Sequence, residues 1–160
     1  MDPITMAILY GVYCIGKCGG IKKAFNLDSS SYTPPPLPFK VTNAVICNAD
    51  SNNRIISDYD YEIKSAKAQY LKPKLTIETS TEGTYEIYVK AYDADWKLAT
   101  DSSSPDGYTY KGSVSISNRT KEYSLSGWGS SKTGFWKKGK WRFEFFYNER
   151  HLFTKEFFIY

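Results

Sequence analysis

The chain has 160 residues, enough for one domain with an appendage, and a chain of that length buries about two thirds of its surface on folding without help from metals or disulfides. Its net charge of +4 comes from 21 basic and 17 acidic residues spread along the chain, which excludes the concentrated basic face expected of a nucleic-acid binder. Three cysteines do not make a disulfide framework, and a single histidine leaves both zinc sites and nucleophile–base catalysis short of residues.

Residues 3–16 (Pro-Ile-Thr-Met-Ala-Ile-Leu-Tyr-Gly-Val-Tyr-Cys-Ile-Gly) carry no charge. They are shorter than the roughly 20 residues a helical membrane span requires, and Asp2 stands where an export signal wants positive charge. Residues 1–27 therefore read as an apolar leader: a short membrane anchor acting through residues 4–16, an element packed on the domain, or an atypical export signal. Membrane-associated or extracytoplasmic placement is favoured over a free cytoplasmic one. Cys14 and Cys18 fall in this leader, one residue too far apart for a zinc knuckle. Residues 28–38 (Asp-Ser-Ser-Ser-Tyr-Thr-Pro-Pro-Pro-Leu-Pro) are a linker, semi-rigid where the prolines gather. Residues 35–38 also have PxxP spacing, although a spacer explains them sufficiently.

From residue 39 onward the chain is a succession of short β-type runs separated by turn residues. Residues 39–47 alternate and end in an Asn/Asp-rich turn cluster at 48–53, with Cys47 a small buried hydrophobe. Residues 61–69 are a weak helix candidate. In 70–79, Leu71, Pro73, Leu75 and Ile77 share a face, and Pro73 places the strand start there or puts the strand at an edge. In 84–92, Tyr85, Ile87, Val89 and Ala91 point one way while Glu86, Tyr88, Lys90 and Tyr92 point the other, a period of two with one buried face. A hairpin turn at 93–98 and a loop at 100–107 precede strands at 108–117 and 121–126. Residues 140–147 align Trp141, Phe143, Phe145 and Tyr147, and 152–160 form a final strand. Eight or nine strands without long two-sided apolar runs predict an all-β domain over 39–160, an antiparallel two-sheet sandwich or a barrel.

The closing pattern Gly139-x-Trp141-x-Phe143-Glu144-x-x-Tyr147, followed by Leu152-Phe153-x-x-x-Phe157, resembles the last hairpin of bacterial immunoglobulin-like and fibronectin-III-like β-sandwich domains. Residues 104–110 and 126–129 are further landmarks of such domains. The resemblance covers about the last 120 residues and implies an immunoglobulin-like sandwich. It carries over no catalytic or binding residue, and the Cys…Trp…Cys pattern of antibody domains is missing.

Chemistry-bearing residues are few. His151 stands at the turn of the last hairpin, where nothing orients it as a base. Asp93, Asp95, Asp101 and Asp106, and the set Asn48, Asp50 and Asn52, fail the EF-hand pattern and read as turn residues. The run 135–143 interleaves rings with Lys137, Lys138, Lys140 and Arg142. Alternation sets Arg142 beside Glu144, which breaks up a basic surface. Rings at loop tips remain: Trp96, Tyr108, Trp128 and Trp136 are the candidate binding residues, because aromatics there stack on sugars or anchor protein interfaces. The expected function is non-enzymatic recognition with no cofactor and no metal. A protein partner is favoured, a carbohydrate is the alternative, and nucleic acid is disfavoured.

Overall fold

The computed structural model describes residues 33–160, apart from 60, 61, 80 and 133. The leader, with Cys14, Cys18 and the candidate anchor at 4–16, lies outside the described residues. Ten strands follow one another: β1 Phe39–Ala49, β2 Ile55–Tyr59, β3 Glu62–Ile63, β4 Tyr70–Thr79, β5 Gly83–Tyr92, β6 Tyr110–Ile116, β7 Glu122–Ser124, β8 Trp128–Gly129, β9 Gly139–Tyr147 and β10 Arg150–Ile159. They form two sheets. The first runs β2-β1-β4-β7, with β8 also on β4; the second runs β3-β10-β9-β5-β6. Every ladder is antiparallel except the short one between β3 and β10. The chain order β1, β4, β7 facing β5, β9, β10 is the A-B-E against C-F-G arrangement of immunoglobulin folds, with β6 beside the C-equivalent strand. The fold is an all-β, immunoglobulin-like two-sheet sandwich.

Alternation decides what each strand buries. Ile87, Val89 and Ala91 of β5, and Trp141, Phe143 and Phe145 of β9, are buried together with Leu71, Leu75 and Ile77 of β4. Each of the larger side chains among them stabilises the fold by about 1.5–3 kcal/mol. On β1 the apolar positions change parity, from Phe39 and Val41 to Ala44 and Ile46. A bulge between Val41 and Asn43 in the ladder with β4 absorbs the extra residue, so both halves face inward. The β9–β10 hairpin turns on Asn148 and Glu149, both left-handed at φ 46° and 61°. Two such residues match the right-handed twist of the flanking strands.

Three expectations change. Pro73 neither opens β4 nor lies at an edge, since β4 pairs with β1 on one side and with β7 and β8 on the other. The Pro73 carbonyl accepts from the Leu125 N–H at 3.0 Å or less (2.9 Å) on the β7/β8 side. The missing proline N–H falls on that same side, at the gap between β8 (opposite Tyr70–Leu71) and β7 (opposite Lys74–Thr76). The helix candidate at 61–69 does not form: Glu62–Ile63 is a strand, followed by one turn closed by the Ala68 N–H to the Lys64 carbonyl at 3.0 Å. Tertiary bonds override the weak local preference. Ser65 Oγ donates to the Trp136 carbonyl at 3.0 Å. Asn48, expected in a turn, is instead a fully buried residue of β1; its Nδ2 donates to the Lys67 carbonyl at 2.7 Å and its Oδ1 accepts from the Gln69 N–H at 2.9 Å. Cys47 beside it is buried, as its sequence context suggests.

A candidate recognition face

The inward set of β5 and β9 leaves a second set pointing to solvent, and the register places its members in rows. Tyr88 lies opposite Lys111 of β6 and Phe146 of β9, and Phe146 lies opposite His151 of β10. In the next rows Lys90 faces Glu144 and Tyr92 faces Arg142, which in turn faces Glu156.

Tyr108 is brought onto this face by the 101–109 loop. Thr109, 1 % exposed, donates its N–H to the Val89 carbonyl at 2.8 Å and accepts the Ala91 N–H on Oγ1 at 2.8 Å. Ser104 Oγ donates to the Thr109 carbonyl at 2.7 Å and accepts the Asp101 N–H at 2.8 Å. Held this way, the Tyr108 ring packs 4.9 Å from Tyr88 and 5.8 Å from Phe146, whose ring is 5.5 Å from His151. The Lys90 ammonium sits among them, 5.0 Å from the Tyr108 centroid and 5.1 Å from that of Phe146.

Trp96 reaches the same face from the β5 end. Asp93 Oδ1 accepts the N–H groups of Asp95 and Lys97 at 2.9 and 3.0 Å, forcing a tight turn with Trp96 at φ 61°. The indole, 53 % exposed, lies over the Arg142 guanidinium at 4.1 Å, which also covers Tyr92 at 4.9 Å. Arg142 Nε is 3.1 Å from Glu144 Oε1 at an angle that makes an ion pair and not a hydrogen bond. Burial, and then the Glu144 charge, hold the Tyr92 phenol above its ordinary pKa against the opposing Arg142. Lys111 pairs with Glu86 at 2.8 Å and Lys140 with Glu156 at 2.7 Å. The Lys111 hydrogen bond lowers the Glu86 pKa, and Glu86 raises that of Lys111.

Of the four candidate rings, Trp96 and Tyr108 share this face, whereas Trp128 and Trp136 close one end of the sandwich. Trp136 is 1 % exposed and unavailable to a partner, which corrects its reading as a loop-tip ring. Its Nε1 donates to the Gln69 carbonyl at 2.8 Å, and its ring packs 4.8 Å from Trp141 and 5.5 Å from Trp128. Gly129 makes this seat possible: at φ 145°, a Cβ there would lie 2.1 Å from the Gln69 carbonyl oxygen and 3.0 Å from the Trp136 ring. Trp128 is half-buried, and its Nε1 donates to Asp101 Oδ2 at 3.0 Å. Hydrogen bonds from Ser103, then from Trp128, lower the Asp101 pKa.

In the lysine run around Trp136, Lys137 pairs with Asp95 and Lys140 with Glu156. His151, exposed, has Thr154 Oγ1 at 2.7 Å from Nε2. Asp50 Oδ1 accepts the N–H groups of Asn52 and Arg54 at 2.9 Å, so it shapes a turn. Among the described residues, no three His, Cys, Asp or Glu side chains are grouped to hold a metal ion.

Tyr88, Lys90, Tyr92, Arg142 and Phe146 were not singled out as binding residues from sequence. Their signal is the outward half of the period-two pattern: a solvent-facing strand usually carries small polar or charged residues there, and β5 alternates Glu86, Tyr88, Lys90, Tyr92.

No protein-family profile matches the sequence, and no curated protein is significantly similar to it. Among solved structures, the chain is similar to an immunoglobulin-like protein from Pseudomonas aeruginosa, at 14 % identity over 79 % of this chain and 100 % of that one, with a TM-score of 0.43. That likeness is one of fold and assigns no ligand or activity. Fold by itself assigns no role, and site chemistry must supply one.

Proposed function

We propose that this chain is a non-enzymatic recognition module that binds another protein on the outward face of the β10-β9-β5-β6 sheet. The observation that carries this is the packing of Tyr88, Tyr108 and Phe146 against one another on the solvent side, around Lys90. Tyr, Trp and Arg are the residue types that concentrate binding energy in protein interfaces; here Tyr88, Tyr92 and Arg142 stand on the sheet, and hydrogen-bonded turns hold Trp96 and Tyr108 beside them. The rings are mutually tilted, by 52° between Tyr88 and Tyr108 and 70° between Tyr108 and Phe146, so they present an uneven surface and not one flat platform for a row of sugar rings. Residues 4–16 would hold the module at a membrane surface, with 28–38 as spacer. Among the described residues there is no helix long and apolar enough to cross a membrane.

The test immobilises the full chain beside a Tyr108→Ala/Phe146→Ser variant of matched folding. A protein captured from the source cell's membrane extract by the parent and lost with the variant supports the proposal. Equal capture by both overturns it. Binding on a glycan array that disappears with Trp96→Ala would move the module to the carbohydrate class. Sedimentation with membranes, measured with and without residues 1–20, checks the anchor.

A further inference from the structure

The outer face carries four cations on β5, β6 and β9, and three have a carboxylate. Lys111 is 2.8 Å from Glu86, Lys140 is 2.7 Å from Glu156, and Arg142 is 3.1 Å from Glu144. Lys90 is the exception among the described residues. Its register partner is Glu144, but that carboxylate is engaged by Arg142. What surrounds the Lys90 ammonium instead are the rings of Tyr108 and Phe146, at 5.0 and 5.1 Å. Ring faces attract a cation without neutralising it. The centre of the aromatic patch therefore holds one uncompensated positive charge, partly shielded from water by apolar walls.

From this, and resting on the reading of the outer face as the binding surface, we infer that Lys90 receives one carboxylate from an acidic peptide segment of the partner, whose flanking apolar side chains sit against Tyr88, Tyr108 and Phe146. Charge count sets the ligand class. A nucleic acid or sulfated glycan brings an anion at every unit and needs a line of unpaired cations. Here there is one, since Lys111, Arg142 and Lys140 already carry carboxylates. A segment with a single Asp or Glu among hydrophobic residues matches both the charge and the rings. Desolvation between the rings makes the ion pair stronger than one on open surface.

The experiment selects a displayed library of random linear peptides on the full chain, then measures the enriched peptides against variants. Expected are peptides with an acidic residue beside an apolar one, whose binding weakens about tenfold or more with Lys90→Met, persists with Lys90→Arg, and is unchanged with Lys121→Met as a surface control. Binding should also fall as salt is raised. Peptides lost with Tyr108→Ala but indifferent to Lys90→Met would overturn the carboxylate inference and leave the recognition face standing. Peptides indifferent to both, or no enrichment at all, would overturn both. Tight binding of heparin or a single-stranded oligonucleotide that needs Lys90 would overturn the single-carboxylate inference in favour of a polyanion.

Discussion

At one end of the sandwich, Trp128, Trp136 and Trp141 each give their indole N–H to an acceptor, respectively Asp101 Oδ2, the Gln69 carbonyl and the Lys137 carbonyl, at 3.0, 2.8 and 2.8 Å. On the outer sheet face, Trp96, Tyr92, Tyr108 and Phe146 are covered by cations, Arg142 over the first two and Lys90 over the others. The first group satisfies its polar atoms internally and fills space between the sheets. The second keeps ring surface toward water and is held by forces that persist at a surface. Aromatic content alone does not separate structural from recognition rings; the partner of each polar atom and the burial of each ring do.

The comparison breaks most readily at Trp136. Trp136→Ala should cost about 3–5 kcal/mol in urea unfolding, since it leaves a large void and takes from the Gln69 carbonyl the shorter of its two hydrogen bonds, the Ser130 N–H remaining. A loss below about 1 kcal/mol would show that the end cluster is not core. Asn48→Ala should cost about 2 kcal/mol by the same measurement, because the part-buried Lys67 carbonyl and Gln69 N–H lose their partner. Trp96→Ala and Tyr108→Ala should each change stability by less than about 1 kcal/mol, the worth of an exposed cation–π contact, while removing partner binding. A stability loss comparable to that of Trp136→Ala would erase the distinction between the two groups.

The smallest effect is in pH. Hydrogen bonds lower the folded-state pKa of Asp101. Its contribution is therefore complete above the ordinary aspartate pKa and is lost as pH falls through the lower folded value. Asp101→Asn should lower the thermal midpoint near neutrality, with the difference from the parent shrinking as pH falls through the acid limb. Lys137, raised by Asp95, acts in the opposite sense. Its contribution is complete below the ordinary lysine pKa and fades as pH rises through the folded value, so Lys137→Met should flatten the alkaline limb.

The fold was legible where alternation was long. Tyr85, Ile87, Val89 and Ala91 in β5, and Trp141, Phe143 and Phe145 in β9, fix inward faces without reference to any neighbour. It was not legible where a distant bond decides. Residues 62–68 follow Ser65 and Asn48, whose bonds join residues 71 and 19 positions apart, beyond the reach of local pattern. β2 (Ile55–Tyr59) escaped notice because five residues with adjacent Ile55 and Ile56 show no period. Phe135 and Trp136 are neighbours of similar type, 44 % and 1 % exposed, and composition cannot say which turns inward. Two residues of the candidate face, Trp96 and Tyr108, were visible in the sequence as loop-tip rings. Lys90 needed the β5–β9 register, because only pairing shows that its nearest carboxylate is already taken.

The end cluster also equips the protein with an optical signature. Trp136 and Trp141 lie with ring centres 4.8 Å apart and planes at 68°. Indoles so close and so oriented couple their strong far-ultraviolet transitions, giving a dichroism couplet that vanishes when the interior loosens. Trp96, half in water beneath a guanidinium, emits independently of them. A ligand arriving on the outer face should shift that emission and leave the couplet intact, whereas unfolding should destroy both, so one unlabelled sample reports occupancy and integrity on separate channels.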